Sequence, residues 1–270
     1  MTSDTRIVVP QSGSHFYLPD GTPFYSVPNK SKPGQMRAAN VTDAKAAGAL
    51  PSVTTILGMV HRYALAAWVE SQYILAGART VRLEGEDDDA FCRRIRDEGR
   101  AEAIAAAEFG TRVHDEIAFV QRFLVTELGL DSLASSGIEI NTELLPFISG
   151  WCEWARANEC VVYRAEQCFA DVDERYGGRI DCVGTLRGEP VVIDWQTSSK
   201  MVTYPEKYAQ VVAYKRGGRL EGRPLIVTIS STTPGLIEEH EVEDEAASWQ
   251  VFADARSLYY GLAGPWKSAS

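Results

Sequence analysis

The chain contains no run of about 18 apolar residues, and Met1-Thr2-Ser3-Asp4 does not open the charged-then-apolar pattern of an export signal. The expectation is a cytosolic protein with no membrane attachment. Its 5 cysteines (Cys92, Cys152, Cys160, Cys168 and Cys182) are odd in number and show no CxxC spacing, which argues against a disulfide framework or a zinc knuckle. No cysteine follows Cys182, so no late ligand is available to complete a cysteine-held iron–sulfur cluster. A GxxxxGK[ST] loop is also missing, so the chain carries no P-loop motor of its own. Positive charge is in deficit: 27 Lys and Arg against 37 Asp and Glu leave a net charge of −10. That balance does not suit a protein coated in phosphate-binding surface. What is present is ordinary for a globular protein: 270 residues, 45% hydrophobic and 24% charged, enough for one large domain with a helical elaboration.

Charge is unevenly placed. Acid gathers at Glu84 to Asp89 and from Glu238 to Glu245, read as solvated loops or first helical turns, where carboxylates favour the helix dipole. Between Lys200 and Arg223 the balance reverses to net +4, through Lys200, Lys207, Lys215, Arg216, Arg219 and Arg223 against Glu206 and Glu221. This stretch suits either a solvated helix face or a local track for nucleic acid.

Residues 14–27 read as a hairpin around Pro19-Asp20-Gly21-Thr22, and residues 28–50 as a mobile loop. Ser52 or Thr54 is a plausible N-cap. Helical periodicity then runs over 62–78, 87–107, 109–129 and 141–158. Strands are expected at 161–173, 177–187 and 190–196, a helix at 204–217, strands at 224–230 and 235–241, and a closing helix at 244–262. A helix-rich front and a strand-rich back predict an α/β (α+β) chain with a mixed sheet flanked by helices. Residues 1–50 form a hairpin and loop segment, and 51–270 one domain, helical over 51–158 and sheet-centred over 159–270.

The most informative segment is the pair of apolar strands 177–187 and 190–196, each carrying one aspartate. Burial of an unpaired carboxylate is costly, so Asp181 and Asp194 need a partner or a cation. With Gly188-Glu189 as the turn, Arg187 pairs with Pro190 and Asp181 lies opposite Gln196, with Asp194 two residues along on the same face. The other face reads Ile180, Cys182, Gly184 and Leu186 against Val191, Ile193 and Trp195, fit for a core. Upstream, His114 stands one position beyond a helix face of Val113, Ile117 and Val120. Downstream, Lys207, Gln210 and Tyr214 recur on one helix face, with Tyr208, Val211 and Val212 on the apolar one.

In this order, Gly110-x-x-x-His114, Glu166 on a strand, Gly177-Gly178-Arg179-Ile180-Asp181, Ile193-Asp194-Trp195-x-Thr197-Ser198 and a Gln210/Tyr214 helix resemble the RecB-type nucleases of the PD-(D/E)xK superfamily. Pro51 to Leu57 resembles the opening of phage and mitochondrial genome-maintenance members. The likeness covers about 51–220. It implies a restriction-endonuclease-like fold and a metal-dependent DNA exonuclease acting on single strands or ends. It also implies partners in a phage-like recombination, replication or repair system, and a bacterial cytoplasm as its setting.

Carried over, the resemblance makes His114, Asp181 and Asp194 metal ligands, with the Trp195 carbonyl as an extra donor and Glu166 as support or second-metal ligand. Such oxygen donors suit Mg²⁺ or Mn²⁺, and the imidazole favours Mn²⁺. Gln210 and Tyr214 would orient ligands or DNA, and Lys200, Lys207 and Tyr208 would lie along the DNA side. The departure is Gln196, where the family carries lysine. Either Lys200 or Lys207 supplies the cation instead, or the chain works with glutamine, or it no longer cuts and remains a DNA-binding or protein-binding, inhibitory module on the same fold.

Overall fold

The computed structural model of the chain describes residues 14–60, 63–125 and 141–264. Contacts divide it into two compact units, Met1–Val60 with Val113–Ser270, and His61–Arg112. The architecture is mixed α/β, as the sequence predicts, with seven helices among the described residues.

The larger unit is built on a five-stranded sheet in chain order: β5 (Val161–Asp171), β6 (Tyr176–Leu186), β7 (Glu189–Ser198), β8 (Arg223–Ser230) and β9 (Ile237–Glu241). Neighbours are antiparallel except β7 and β8, which run parallel. A parallel pair needs a crossover, and α6 (Pro205–Gly217) supplies it. α5 (Leu145–Ala157) precedes the sheet and α7 (Glu245–Ala263) closes the chain. Strands β6, β7 and β8 are buried along most of their length, so helices must cover both faces.

Beneath α6 and α7, Val192, Ile226, Val211, Tyr214, Phe252 and Tyr259 form one apolar cluster. The short helix α2 (Val53–Leu57) adds Val53, Ile56 and Leu57 to it. Ser52 is the N-cap, its hydroxyl accepting from Thr55 N–H at 3.0 Å. On the other face Trp195 is buried edge-on against Trp151 (5.7 Å, 84°) and Trp154 (5.8 Å, 89°) of α5.

The N-terminal segment differs from its sequence reading. The tight turn exists: Leu18 N–H donates to Thr22 at 2.8 Å, and Asp20 takes the Thr22 N–H at 2.8 Å. Its arms pair elsewhere, however. β1 (Phe16–Tyr17) lies against β4 (Leu50–Pro51), and β2 (Ser26–Pro28) against β3 (Met36–Ala38). Between the expected arms the ladder stops at an isolated bridge, Tyr17 and Pro23, because the groups of the next rung are engaged elsewhere: His15 N–H donates to Thr55 Oγ1 at 2.8 Å and the Tyr25 carbonyl accepts from Ala39 N–H at 2.9 Å. The expected loop of residues 28–50 instead contains β3 and α1 (Val41–Ala47). Asn40 and Asp43 close a capping box on α1, and Gly48 ends it in the left-handed region (φ 68°).

In the smaller unit α3 (Tyr63–Arg79) precedes α4 (Asp88–Val125), which begins there. α4 replaces the two helices expected at 87–107 and 109–129, since a single Gly110 weakens a helix by only about 1 kcal/mol. Residues 62 and 126–129 of those expectations lie outside the described residues. Asp87 caps α4 at Ala90 N–H (2.7 Å), and Glu86 grips Arg94 through two bonds of 2.7 and 2.8 Å. The second acidic run lies partly on edge strand β9, where Glu239 and Glu241 pair with Arg187 and Arg223. Charge there blunts a sheet edge against further pairing.

Candidate functional site

The hairpin joining β6 to β7 turns one step earlier than the sequence spacing suggests. Arg187 (φ 54°) and Gly188 (φ 82°) are its two central residues, both left-handed, as a two-residue turn of the mirror-image type requires. Leu186 therefore pairs with Glu189, Thr185 with Pro190 and Cys182 with Ile193. Glycine favours the second left-handed position and Glu189 does not, which accounts for the displacement. The register slips by two, so the faces survive, but Asp181 comes opposite Asp194 rather than Gln196.

At that point the two strands part. The β6–β7 ladder ends at Cys182 and Ile193, and the Trp195 N–H donates to Asp181 Oδ2 at 2.9 Å. A carboxylate here takes the place of a ladder carbonyl. Across β6, the pairs Ala165–Cys182 and Gln167–Ile180 place Glu166 opposite Asp181, and Glu166 has φ 56°. A non-glycine residue there marks a locally strained backbone. Ile180, expected on the Trp195 face, instead joins the cluster beneath α6, consistent with this irregularity.

Both aspartates are buried, Asp181 8% and Asp194 2% exposed. From α6, Gln210 donates through Nε2 to Asp194 Oδ1 at 2.7 Å and meets the Tyr214 hydroxyl at 3.3 Å. Lys207 Nζ lies 3.3 Å from Gln210 Oε1 and 3.8 Å from Asp194 Oδ2. Among the described residues, Asp194 Oδ2 accepts no hydrogen bond. His114 Nδ1 lies 3.9 Å from Asp181 Oδ2, on a turn whose Val113, Ile117 and Val120 are fully buried. Room for the Tyr214 ring comes from Gly178, where a Cβ would fall 2.9 Å from it and 2.7 Å from Phe169.

Electrostatics follow from this packing. Burial raises the Asp194 carboxyl to about 6, with Asp181 adding repulsion and Lys207, His114 and Gln210 opposing it. Asp181 is also raised by burial, against the Trp195 N–H and the Arg179 and Lys207 charges. Burial lowers His114, favouring the neutral imidazole that can ligate, while Asp194 and the Trp195 backbone pull the other way. Burial, and then the two aspartates, hold the Tyr214 phenol neutral.

The expected site residues divide into two groups. His114, Asp181, Asp194, Lys207, Gln210, Tyr214 and the Trp195 backbone come together. Glu166 is adjacent but held by Arg179 at 2.7 Å. Gln196 turns to the loop before α6, donating to the Val202 carbonyl and accepting from Thr203 Oγ1, each at 3.1 Å. Lys200 is exposed, its N–H bonded to Ser198 Oγ at 3.1 Å, and Tyr208 packs half-buried against the core. Arg179 is the participant that sequence reasoning passed over; its signal is the spacing of two from Asp181 on one strand.

Among the described residues no three His, Cys, Asp or Glu side chains already surround one point. The donor set nonetheless fits a hard divalent cation. It offers two facing carboxylates, a neutral imidazole, a nearby backbone carbonyl and one carboxylate oxygen without a hydrogen-bond donor. Two carboxylates raised by burial, with Asp181 adding repulsion at Asp194, are what a cation relieves.

No family model and no curated protein matches the chain. A solved structure described as "Crystal structure of SSO0001" aligns at 20% identity over 55% of this chain and 75% of that one, with a TM-score of 0.27. A likeness of that size carries no argument about function, and the mixed α/β architecture rests on the strands and helices themselves.

Proposed function

We propose that the chain is a metal-dependent deoxyribonuclease of the PD-(D/E)xK type, hydrolysing phosphodiesters in single-stranded DNA or at DNA ends. The observation that supports it is the gathering of Asp181, Asp194, His114 and Gln210 at the point where β6 and β7 part. Asp181, Asp194 and His114 would hold Mn²⁺ or Mg²⁺, which when bound activates water and offsets phosphate charge. Gln210 orients Asp194 through its amide, and Tyr214 fixes Gln210 in turn. Arg179 keeps Glu166 beside Asp181 and contributes positive potential to both. A bacterial cytoplasm and a phage-like recombination or repair system go with this reading.

A second reading, a DNA-binding relative that no longer cuts, draws on one observation: the Gln196 amide is committed to Val202 and Thr203. One experiment separates the two. Labelled single- and double-stranded DNA is incubated with Mn²⁺ or Mg²⁺ and either the unaltered chain or Gln196→Lys, with metal binding followed by calorimetry. Cleavage by the unaltered chain supports the nuclease, and cleavage only by Gln196→Lys supports the inactive relative. No cleavage by either, together with no heat of metal binding, refutes both.

A further inference from the structure

Most basic side chains between Lys200 and Arg223 are used within the protein. Lys215 pairs with Glu245 at 2.8 Å, Arg219 with Asp173 at 3.5 Å and Arg223 with Glu241 at 2.7 Å, while Arg216 lies 4.6 Å above the Trp249 ring. Lys200 points to solvent. Lys207 behaves differently. It leaves the first turn of α6 toward the buried aspartates, with its side chain 29% exposed. Its ammonium lies 3.8 Å from Asp194 Oδ2, beyond the roughly 2.7–2.9 Å of a charge-assisted hydrogen bond. The charge is therefore near the carboxylates, on their solvent side; it donates to Gln210 Oε1 at 3.3 Å and, with three N–H groups, retains donors for another anion. The neighbouring cation, Arg179, is engaged by Glu166 at 2.7 Å. Gln196 is neutral and bonded to the loop.

We propose that Lys207 is the catalytic cation of this site, stabilising the negative charge that grows on the non-bridging oxygens of a phosphodiester during hydrolysis. It would do from α6 what a lysine at position 196 does from β7. The inference rests on the nuclease reading. In the reaction the water oxygen bonds to phosphorus while the bond from phosphorus to the departing sugar oxygen breaks. The water loses one proton and the departing oxygen gains one. Lys207 keeps its proton and acts by charge and hydrogen bonding alone, a role in which one preorganised donor is worth about 10²–10³-fold in rate.

The test uses the full chain with a labelled single-stranded oligonucleotide and Mn²⁺, comparing Lys207→Gln, Lys207→Arg, Gln196→Lys and the double variant Lys207→Gln/Gln196→Lys. Lys207→Gln is expected to lower cleavage about 100-fold or more, Lys207→Arg to retain part of it, and the double variant to recover. Calorimetry supplies a readout independent of activity. Removing a positive charge beside Asp194 should tighten Mn²⁺ binding about 3- to 10-fold in Lys207→Gln.

Thermal unfolding checks that each variant folds, which a partly exposed first-turn position allows. Cleavage by Lys207→Gln at the parent rate, or unchanged or weaker Mn²⁺ binding, overturns the proposal. So does cleavage by Gln196→Lys alone with a silent parent. Failure of the nuclease reading looks different: no variant cuts and none binds Mn²⁺, and the proposal falls with it.

Discussion

Replacing Asp194 by asparagine should stabilise the metal-free protein at alkaline pH. The folded carboxyl sits at about 6 against a usual 3.8, because burial and the facing Asp181 disfavour its charge more than Lys207, His114 and Gln210 favour it. A raised carboxyl contributes stability that is fully present below 3.8 and is lost as pH rises through about 6. Above that value the parent carries an unfavourable buried charge that Asp194→Asn does not have. A shift of about 2 pH units, at roughly 1.36 kcal/mol each, makes the gain about 2–3 kcal/mol at pH 8, shrinking toward pH 5. Asparagine keeps the acceptor for Gln210, so the surrounding packing is retained. Urea unfolding of both proteins in EDTA, from about pH 5 to pH 8, measures the difference. On the proposed metal-site reading, adding Mn²⁺ should reverse the order, since the parent would gain more by binding the ion. An Asp194→Asn protein that is less stable than the parent at pH 8 in EDTA would refute the reasoning, because it would mean that the carboxylate is already satisfied without a cation.

Two further outcomes follow from the packing. Trp151 is fully buried against Trp195, and Trp151→Ala should lower stability by about 3–5 kcal/mol in urea unfolding. The Arg37 guanidinium holds Asp43 at about 2, below its usual 3.8, so its contribution is present above 3.8 and lost as pH falls through about 2. Asp43→Asn should therefore melt earlier than the parent near neutral pH, with the two thermal transitions converging in acid.

Legibility in the sequence tracked the range of the interactions. Helices α6 and α7 and strands β5 to β8 were readable within a residue or two, and α5 with a start four residues early, because each shows its own periodicity and its own stop, such as Gly217-Gly218. The face of α6 was readable too: Lys207, Gln210 and Tyr214 do share it. Spacing could not show how closely that face meets β7, so whether Lys207 or Lys200 reaches the carboxylates stayed open. The β6–β7 register was missed by two because either Arg187-Gly188 or Gly188-Glu189 makes a two-residue turn, and only the left-handed requirement at both positions decides between them. At the N-terminus, pairing of β1 with β4 joins residues more than 30 apart and leaves no local mark. The capping box of Asn40 and Asp43, by contrast, was present as a readable signal ahead of the alanines.

The hold of Gln196 on Val202 and Thr203 also sets the order of the loop before α6. Each of these bonds contributes about 0.5–1.5 kcal/mol, and together they fasten the segment that delivers the first turn of α6 to β7. A lysine at 196 has no carbonyl to accept from Thr203, so Gln196→Lys trades loop order for charge. Gln196→Lys is thus expected to loosen the segment from Val202 to the first turn of α6, read as faster amide hydrogen exchange there than in the parent.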